Sequence, residues 1–203
     1  MTPELKSVLE RELVLDVPDC LQGWTDAKRG IEMAELVLEH RPETVVEIGC
    51  FGGRSTIALA LACRENGFGK IYTIDPWKKE ATLEGENEAN RRWWESVDLH
   101  WVHKTAMEAF WRLNLDDWIV TIRSASQRVP HLFPEIHFLL IDGCHSEVAS
   151  CRDVDLYFPM VPSGGIVWFD DADWQSTQKA LSMLDCQCDL IKDGKSYRTY
   201  RKR

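Results

Sequence analysis

Five short β-rich runs alternate with helical stretches, and this alternation limits the possible folds more than any other feature of the chain. The runs are TVVEIG (Thr44 to Gly49), KIYTID (Lys70 to Asp75), WIVTIR (Trp118 to Arg123), HFLLID (His137 to Asp142) and GIVWFDD (Gly165 to Asp171). Each is dominated by branched or aromatic residues and is too short for a stable helix. The segments between them carry helical character: a nearly all-apolar one from Ser55 to Arg64, a polar, tryptophan-rich one from Trp77 to Asp117, and one from Glu147 to Met160. Strands joined through helices pair in parallel, with the helices on the sheet faces. A further helix spans Ser176 to Leu184, and DLIKDGKSYRTY then reads as a hairpin turning at Asp193-Gly194. The spacing therefore predicts an α/β fold: a seven-stranded, mostly parallel sheet with helices on both faces and a C-terminal antiparallel hairpin.

Upstream of the first strand the pattern is helical. Leu5, Val8, Leu9 and Leu13 fall on one face of a helix from Leu5 to Leu15. Thr25 is placed to cap a second helix running to about His40, with Ile31, Ala34, Val37 and Leu38 in its stripe, before Pro42 forces a break. Residues 1–43 thus read as a helical extension and residues 44–203 as one domain. Composition excludes some functions. With 33 acids against 24 bases and a net charge of −9, the chain is poorly suited to gripping phosphate backbones. No apolar run approaches the roughly 20 residues of a membrane span, and the acid-bearing start does not read as a signal peptide. Seven cysteines without regular spacing suit reduced thiols in a cytoplasm. Cys186 and Cys188 lack a second ligand pair at zinc spacing and read as strand packing. The basic tail reads as a solvated terminal strand, Asp173 as a surface acid, and Trp168 and most other tryptophans as core.

Open α/β sheets bind ligands outside the carboxyl ends of their strands, and those ends are where this sequence concentrates its polar residues. The first run continues as EIGCFGGRST. Gly49, Gly52 and Gly53 permit a sharp turn and close backbone approach, while Ser55 or Thr56 can cap the following helix. The G-x-x-G-G spacing differs from the G-x-G-x-x-G that serves a dinucleotide pyrophosphate. Glu47 would bring a carboxylate toward the ligand, which suits a cation. Asp75 ends the second run in the position of an acid that accepts from ribose hydroxyls. Asp142, Asp170 and Asp171 end the fourth and fifth runs. If those strands are neighbours, three carboxylates meet at one rim and repel unless a cation intervenes. Oxygen ligands of this kind suit Mg²⁺, Ca²⁺ or Mn²⁺. The alternative is that the three acids cap loops and helices. His145 follows in the loop over the site, either as a proton acceptor near neutrality or as an orienting loop residue.

These residues resemble a known family. EIGCFGG with Asp75 is similar to the cofactor site of class I S-adenosylmethionine-dependent methyltransferases. SASQRVPHL (Ser124 to Leu132) resembles the segment of catechol-type O-methyltransferases whose Ser and Gln contact adenine, which points to Ser126 and Gln127. IDGCHS followed by GGIVWFDD resembles the family-24-type small-molecule methyltransferases, relatives of the macrolide-sugar and catechol O-methyltransferases. The resemblance runs from about Thr44 to Asp171. It implies a Rossmann-like sheet that holds S-adenosylmethionine through Glu47, Gly49, Gly52, Gly53, Ser55, Asp75, Trp77, Ser126, Gln127 and Asp142. It also implies Mg²⁺, or another divalent cation, on Asp142, Asp170 and Asp171. His145 stands where relatives place a general base, and Cys144 stands where they usually carry an acid. The implied reaction is O-methylation of a small-molecule hydroxyl. The alternatives are a metal-independent methyltransferase of the same fold and a non-catalytic S-adenosylmethionine-binding protein. Neither the acceptor nor the oligomeric state is written in the sequence.

Overall fold

The structure, a computed structural model, describes residues 1–15, 21–84 and 88–203. The expected helical segment from Trp77 to Asp117 therefore lies partly outside the described residues. The sheet strands are β1 (Thr44–Ile48), β2 (Lys70–Ile74), β3 (Ile119–Ile122), β4 (Phe138–Ile141), β5 (Ile166–Asp170), β6 (Cys188–Asp193) and β7 (Tyr197–Lys202). Their order is β3-β2-β1-β4-β5-β7-β6. The first five are parallel, and β7 pairs antiparallel with both β5 and β6. This is the Rossmann-like architecture expected from the alternation. The chain starts at β1, builds outward to β3, and crosses back to β4 on the other side of β1. Strand direction and order thus open a crevice above β1 and β4, where a ligand can enter.

Period-2 alternation splits the core between the two sheet faces. Val45, Phe138, Leu140, Ile166 and Trp168 pack on one side. Val46, Ile48, Leu139, Ile141, Val167 and Phe169 pack on the other. The first face is covered by α1 (Pro3–Glu12), α2 (Ala27–His40), α3 (Arg54–Asn66) and α6 (Leu99–Arg112). Helix α3 has every residue from Arg54 to Cys63 buried, because α2 packs over it. The second face is covered by α7 (Glu147–Tyr157) and α8 (Gln178–Asp185). Two short helices, α4 (Lys79–Thr82) and α5 (Glu88–Ser96), lie between β2 and α6. Among the described residues, no helix is long and apolar enough to cross a membrane.

Several local expectations change. Asp26, not Thr25, caps α2, accepting from the Arg29 amide at 2.8 Å. Thr25 is buried instead, and its carbonyl accepts from Arg54 Nε at 2.7 Å. The hairpin loop runs Gly194 to Ser196, with the left-handed φ of 71° at Lys195. The C-terminal β7 is an interior strand rather than a solvated one: Tyr197, Thr199 and Tyr200 are buried, and Trp168 stacks on Tyr197 at 4.2 Å. The sheet edge falls to β6, whose exposed Asp189, Lys192 and Asp193 discourage further strand pairing. Cys186 ends α8 in solvent while Cys188 starts β6 in the core, so the two do not share a strand face. Among the tryptophans, Trp77 and Trp168 are core, but Trp24, Trp93, Trp101 and Trp111 are exposed.

Candidate functional site

A cavity of about 820 Å³ opens over the carboxyl ends of the parallel strands. Its floor begins at the turn after β1. Gly49 has φ 93°, and a Cβ there would lie 2.0 Å from the Asp142 carbonyl, so only glycine lets β1 and β4 close together at the crevice. The turn is held from β2. Asp75 Oδ2 accepts from the amides of Cys50 at 3.1 Å and Phe51 at 2.9 Å, and Oδ1 accepts from Trp77 at 2.7 Å. Burial pushes the Asp75 carboxyl above its usual range, and the three amides oppose that rise. One acid at the end of β2 therefore fixes the backbone of two loops while lining the cavity.

The other end of the cavity is acidic. Asp142 follows β4, Asp170 ends β5, and Asp171 sits beside it with a left-handed φ of 50°. His145 Nε2 lies 2.5 Å from Asp171 Oδ2, and the imidazole packs edge-on against Trp174 at 4.8 Å. Ligand atoms of Asp142, His145 and Asp171 all come within 4.8 Å of one another. Asp170 is engaged differently. Arg29 Nη1, from α2, donates to both of its carboxylate oxygens at 3.0 Å, and Nη2 donates to Ser196 Oγ at 2.8 Å. Burial, then the charges of Asp170 and Asp171, drive the Asp142 carboxyl well above the ordinary range. Burial lifts Asp170 to about 6 against the pull of Arg29. Acids whose ionisation is suppressed in this way gain from any cation that enters.

Residues 46–172, more than half of the chain, match methyltransferase family 24, described as a methyltransferase domain. The chain belongs to this class I methyltransferase family. Solved structures agree on the fold. A Podospora anserina methyltransferase with SAH bound is 14% identical, with 100% of this chain and 89% of that one covered at a TM-score of 0.68. The O-methyltransferase NovP is 15% identical over 97% of this chain and 88% of its own, with a TM-score of 0.71. TomG, an O-methyltransferase from Streptomyces achromogenes involved in tomaymycin synthesis and solved with SAM, is 15% identical over 100% and 91%, with a TM-score of 0.62.

Within this methyltransferase, the residues expected to hold cofactor divide. Gly49, Gly52, Ser55, Asp75, Ser126, Gln127 and Asp142 lie on the cavity wall. Glu47 does not. It shares a sheet face with Val45, is fully buried, and accepts from Ser55 Oγ and Thr56 Oγ1 at 2.5 Å and from Thr73 Oγ1 at 2.6 Å. Burial raises its pKa, and these hydroxyls oppose the rise. Glu47 is a bolt between β1, β2 and α3 rather than a ligand contact. Ser55 and Thr56 serve that bolt, and Gly53, in left-handed conformation, takes the N-cap of α3 in their place. Trp77 turns inward, with its indole N–H on the Phe51 carbonyl at 2.8 Å and its ring 4.5 Å from His103. The three acids expected as one ligand set also divide, because Arg29 holds Asp170.

Two contributors escaped the sequence reading. Arg29 reads as a solvated helix residue until α2 is packed. Asp153 lies with Ala149 and Tyr157 on the buried stripe of α7, which was the available signal. It is 3% exposed and accepts from Ser126 Oγ at 2.6 Å. Burial lifts its carboxyl from 3.8 to about 6. A raised carboxyl favours folding below its unfolded pKa and loses that contribution as pH rises through the folded value. Relative to Asp153→Asn, the wild-type protein should lose about 3 kcal/mol of stability between pH 3 and 8. Urea unfolding at several pH values measures this, and parallel profiles for the two proteins would refute the assignment.

Proposed function

We propose that the protein transfers the methyl group of S-adenosylmethionine to a hydroxyl oxygen of a small molecule, with His145 as the general base. The observation carrying this reading is the His145–Asp171 pair, 2.5 Å apart on the wall of the same cavity that holds Asp75 and the glycine turn. The cofactor's ribose hydroxyls would donate to Asp75, and its adenine would lie at Ser126 and Gln127. Its sulfonium would point toward the acidic rim. The acceptor oxygen forms the new C–O bond as the S–CH₃ bond breaks, leaving a neutral thioether. His145 takes the hydroxyl proton, and Asp171 stabilises the resulting imidazolium. Holding oxygen, methyl carbon and sulfur in line supplies much of the acceleration, since alignment can contribute about 7–11 kcal/mol.

The donor set at the rim, two carboxylates and an imidazole, suits a divalent cation, and Asp142 and Asp171 would hold it. Such an ion would supply positive charge that lowers the pKa of an acceptor hydroxyl. A second reading dispenses with it, and the Arg29–Asp170 pair favours that reading because a fixed guanidinium already supplies positive charge there. Mn²⁺ titration followed by electron paramagnetic resonance separates the two. If cation and guanidinium compete for Asp170, Arg29→Ala should tighten Mn²⁺ binding by about tenfold, the effect of removing one charge contact. Unchanged affinity would count against that competition. Full turnover in EDTA would support the metal-independent enzyme.

The function itself is tested by calorimetry with S-adenosylmethionine, followed by methyl transfer to a panel of phenols, sugars and polyketides. Failure to bind the cofactor would overturn the reading. Binding without transfer to any acceptor would leave a cofactor-binding protein without catalytic activity.

A further inference from the structure

Of the exposed tryptophans, Trp24 and Trp93 pack together at 5.2 Å on the cavity wall. Trp101 and Trp111 do not belong to that group. They stand on α6, and Trp111 is 74% exposed. Helix α6 leads into β3, the strand at one edge of the sheet, and turns Val102, Ala106, Ala109 and Phe110 inward. Its outer flank is left to solvent, with two indoles on it. Apolar surface held in water in this way is surface that association would cover.

The charges on this flank decide what could cover it. Trp101, Lys104, Glu108 and Trp111 follow one another at intervals of three, four and three residues, so they lie along one side of the helix. Lys104 Nζ is 3.7 Å from Glu108 Oε1, and both side chains are exposed. The stripe is symmetric in position and opposite in charge about Ala106. Lys104 and Glu108 stand two residues to either side of it, and the tryptophans five. Suppose a second copy lays its α6 against this one in the opposite direction, with a two-fold axis level with Ala106. Lys104 of each copy then faces Glu108 of the other, and Trp101 of each stands level with Trp111 of the other. A parallel arrangement would set lysine against lysine and glutamate against glutamate, which repel. The antiparallel one is self-complementary and closes at two copies.

We propose that the exposed flank of α6 is the two-fold interface of a homodimer, in which antiparallel copies of the helix pair Lys104 with Glu108 and cover Trp101 and Trp111. The proposal is independent of which ligand fills the cavity. Sedimentation equilibrium of the full chain tests it. Wild-type protein should dimerise with a Kd in about the micromolar range, as small interfaces do. Trp111→Ala should weaken the dimer by about 100-fold or more, because tryptophans are common binding hot spots and symmetry removes this one twice. Lys104→Glu places like charges opposite one another in both pairs and should leave a monomer, as should Glu108→Lys. An equimolar mixture of these two charge variants should recover the dimer, since opposite charges then face each other again. An ion pair that served only its own helix would not let one variant rescue the other. Wild-type protein that stays monomeric at the highest concentration reached overturns the proposal. So does a dimer that both charge variants leave intact, or a mixture of the two that remains monomeric.

Discussion

His145→Ala is expected to lower methyl transfer by about 10²–10⁴-fold, the usual contribution of a positioned general base, while S-adenosylhomocysteine binds as before. The imidazole sits at the acidic end of the cavity, away from Asp75 and Ser126 on the other side of β1, so binding and chemistry should separate. Asp171→Asn should reproduce part of the loss, because the 2.5 Å contact to His145 Nε2 would no longer stabilise an imidazolium. The measurement is single-turnover transfer to an identified acceptor at saturating cofactor, alongside calorimetry. Full transfer by His145→Ala would assign proton removal elsewhere. Loss of cofactor binding in that variant would assign His145 to the binding site instead.

Asp75→Ala is expected to weaken S-adenosylhomocysteine binding by about 100-fold or more. A hydrogen bond from ribose to a charged acceptor contributes about 1.5–3 kcal/mol. The same substitution also strips the acceptor from the Cys50, Phe51 and Trp77 amides. Each buried amide left without a partner costs about 1–3 kcal/mol, so the glycine turn should loosen and the melting temperature should fall. Asp75→Asn retains one acceptor oxygen and should lie between the two proteins in both measurements. Unchanged affinity in Asp75→Ala would remove this acid from the ribose site and leave it as a backbone clamp alone.

The fold was legible because its determinants are local. A run such as HFLLID is too short and too apolar for anything but a buried strand, and five such runs alternating with helices leave few arrangements. The strand ends were legible for the same reason. Gly49, Asp75, Asp142 and Asp170 stand where strand periodicity stops, and general sheet geometry sends such residues to one rim. The hairpin was visible as a hairpin, but its insertion was not. That β7 rather than β6 pairs with β5 follows from Trp168 stacking on Tyr197, a contact between distant parts of the chain.

At the site, the missed features share one cause: each depends on which partner a polar group meets after packing. Glu47 looks like a ligand acid until alternation turns it toward α3 and three hydroxyls close on it. Trp77 follows Asp75 by two residues, yet its left-handed φ of 44° sends the ring into the core. Asp170 looks like one of three equivalent ligands until Arg29, 141 residues earlier, arrives from α2. Ser126 meets its acceptor, the Asp153 carboxylate, through a contact across 27 residues.

By itself, then, the sequence determined the strand–helix order, the glycine turn and the chemical types at the strand ends, because covalent spacing and short-range sterics act on neighbouring residues. Tertiary structure alone decided which carboxylates face the cavity, which are paired with a guanidinium or hydrogen-bonded by hydroxyls, and which remain for a ligand. A carboxyl's charge and reach are set by desolvation and by partners within a few ångströms, and folding brings those partners from far along the chain.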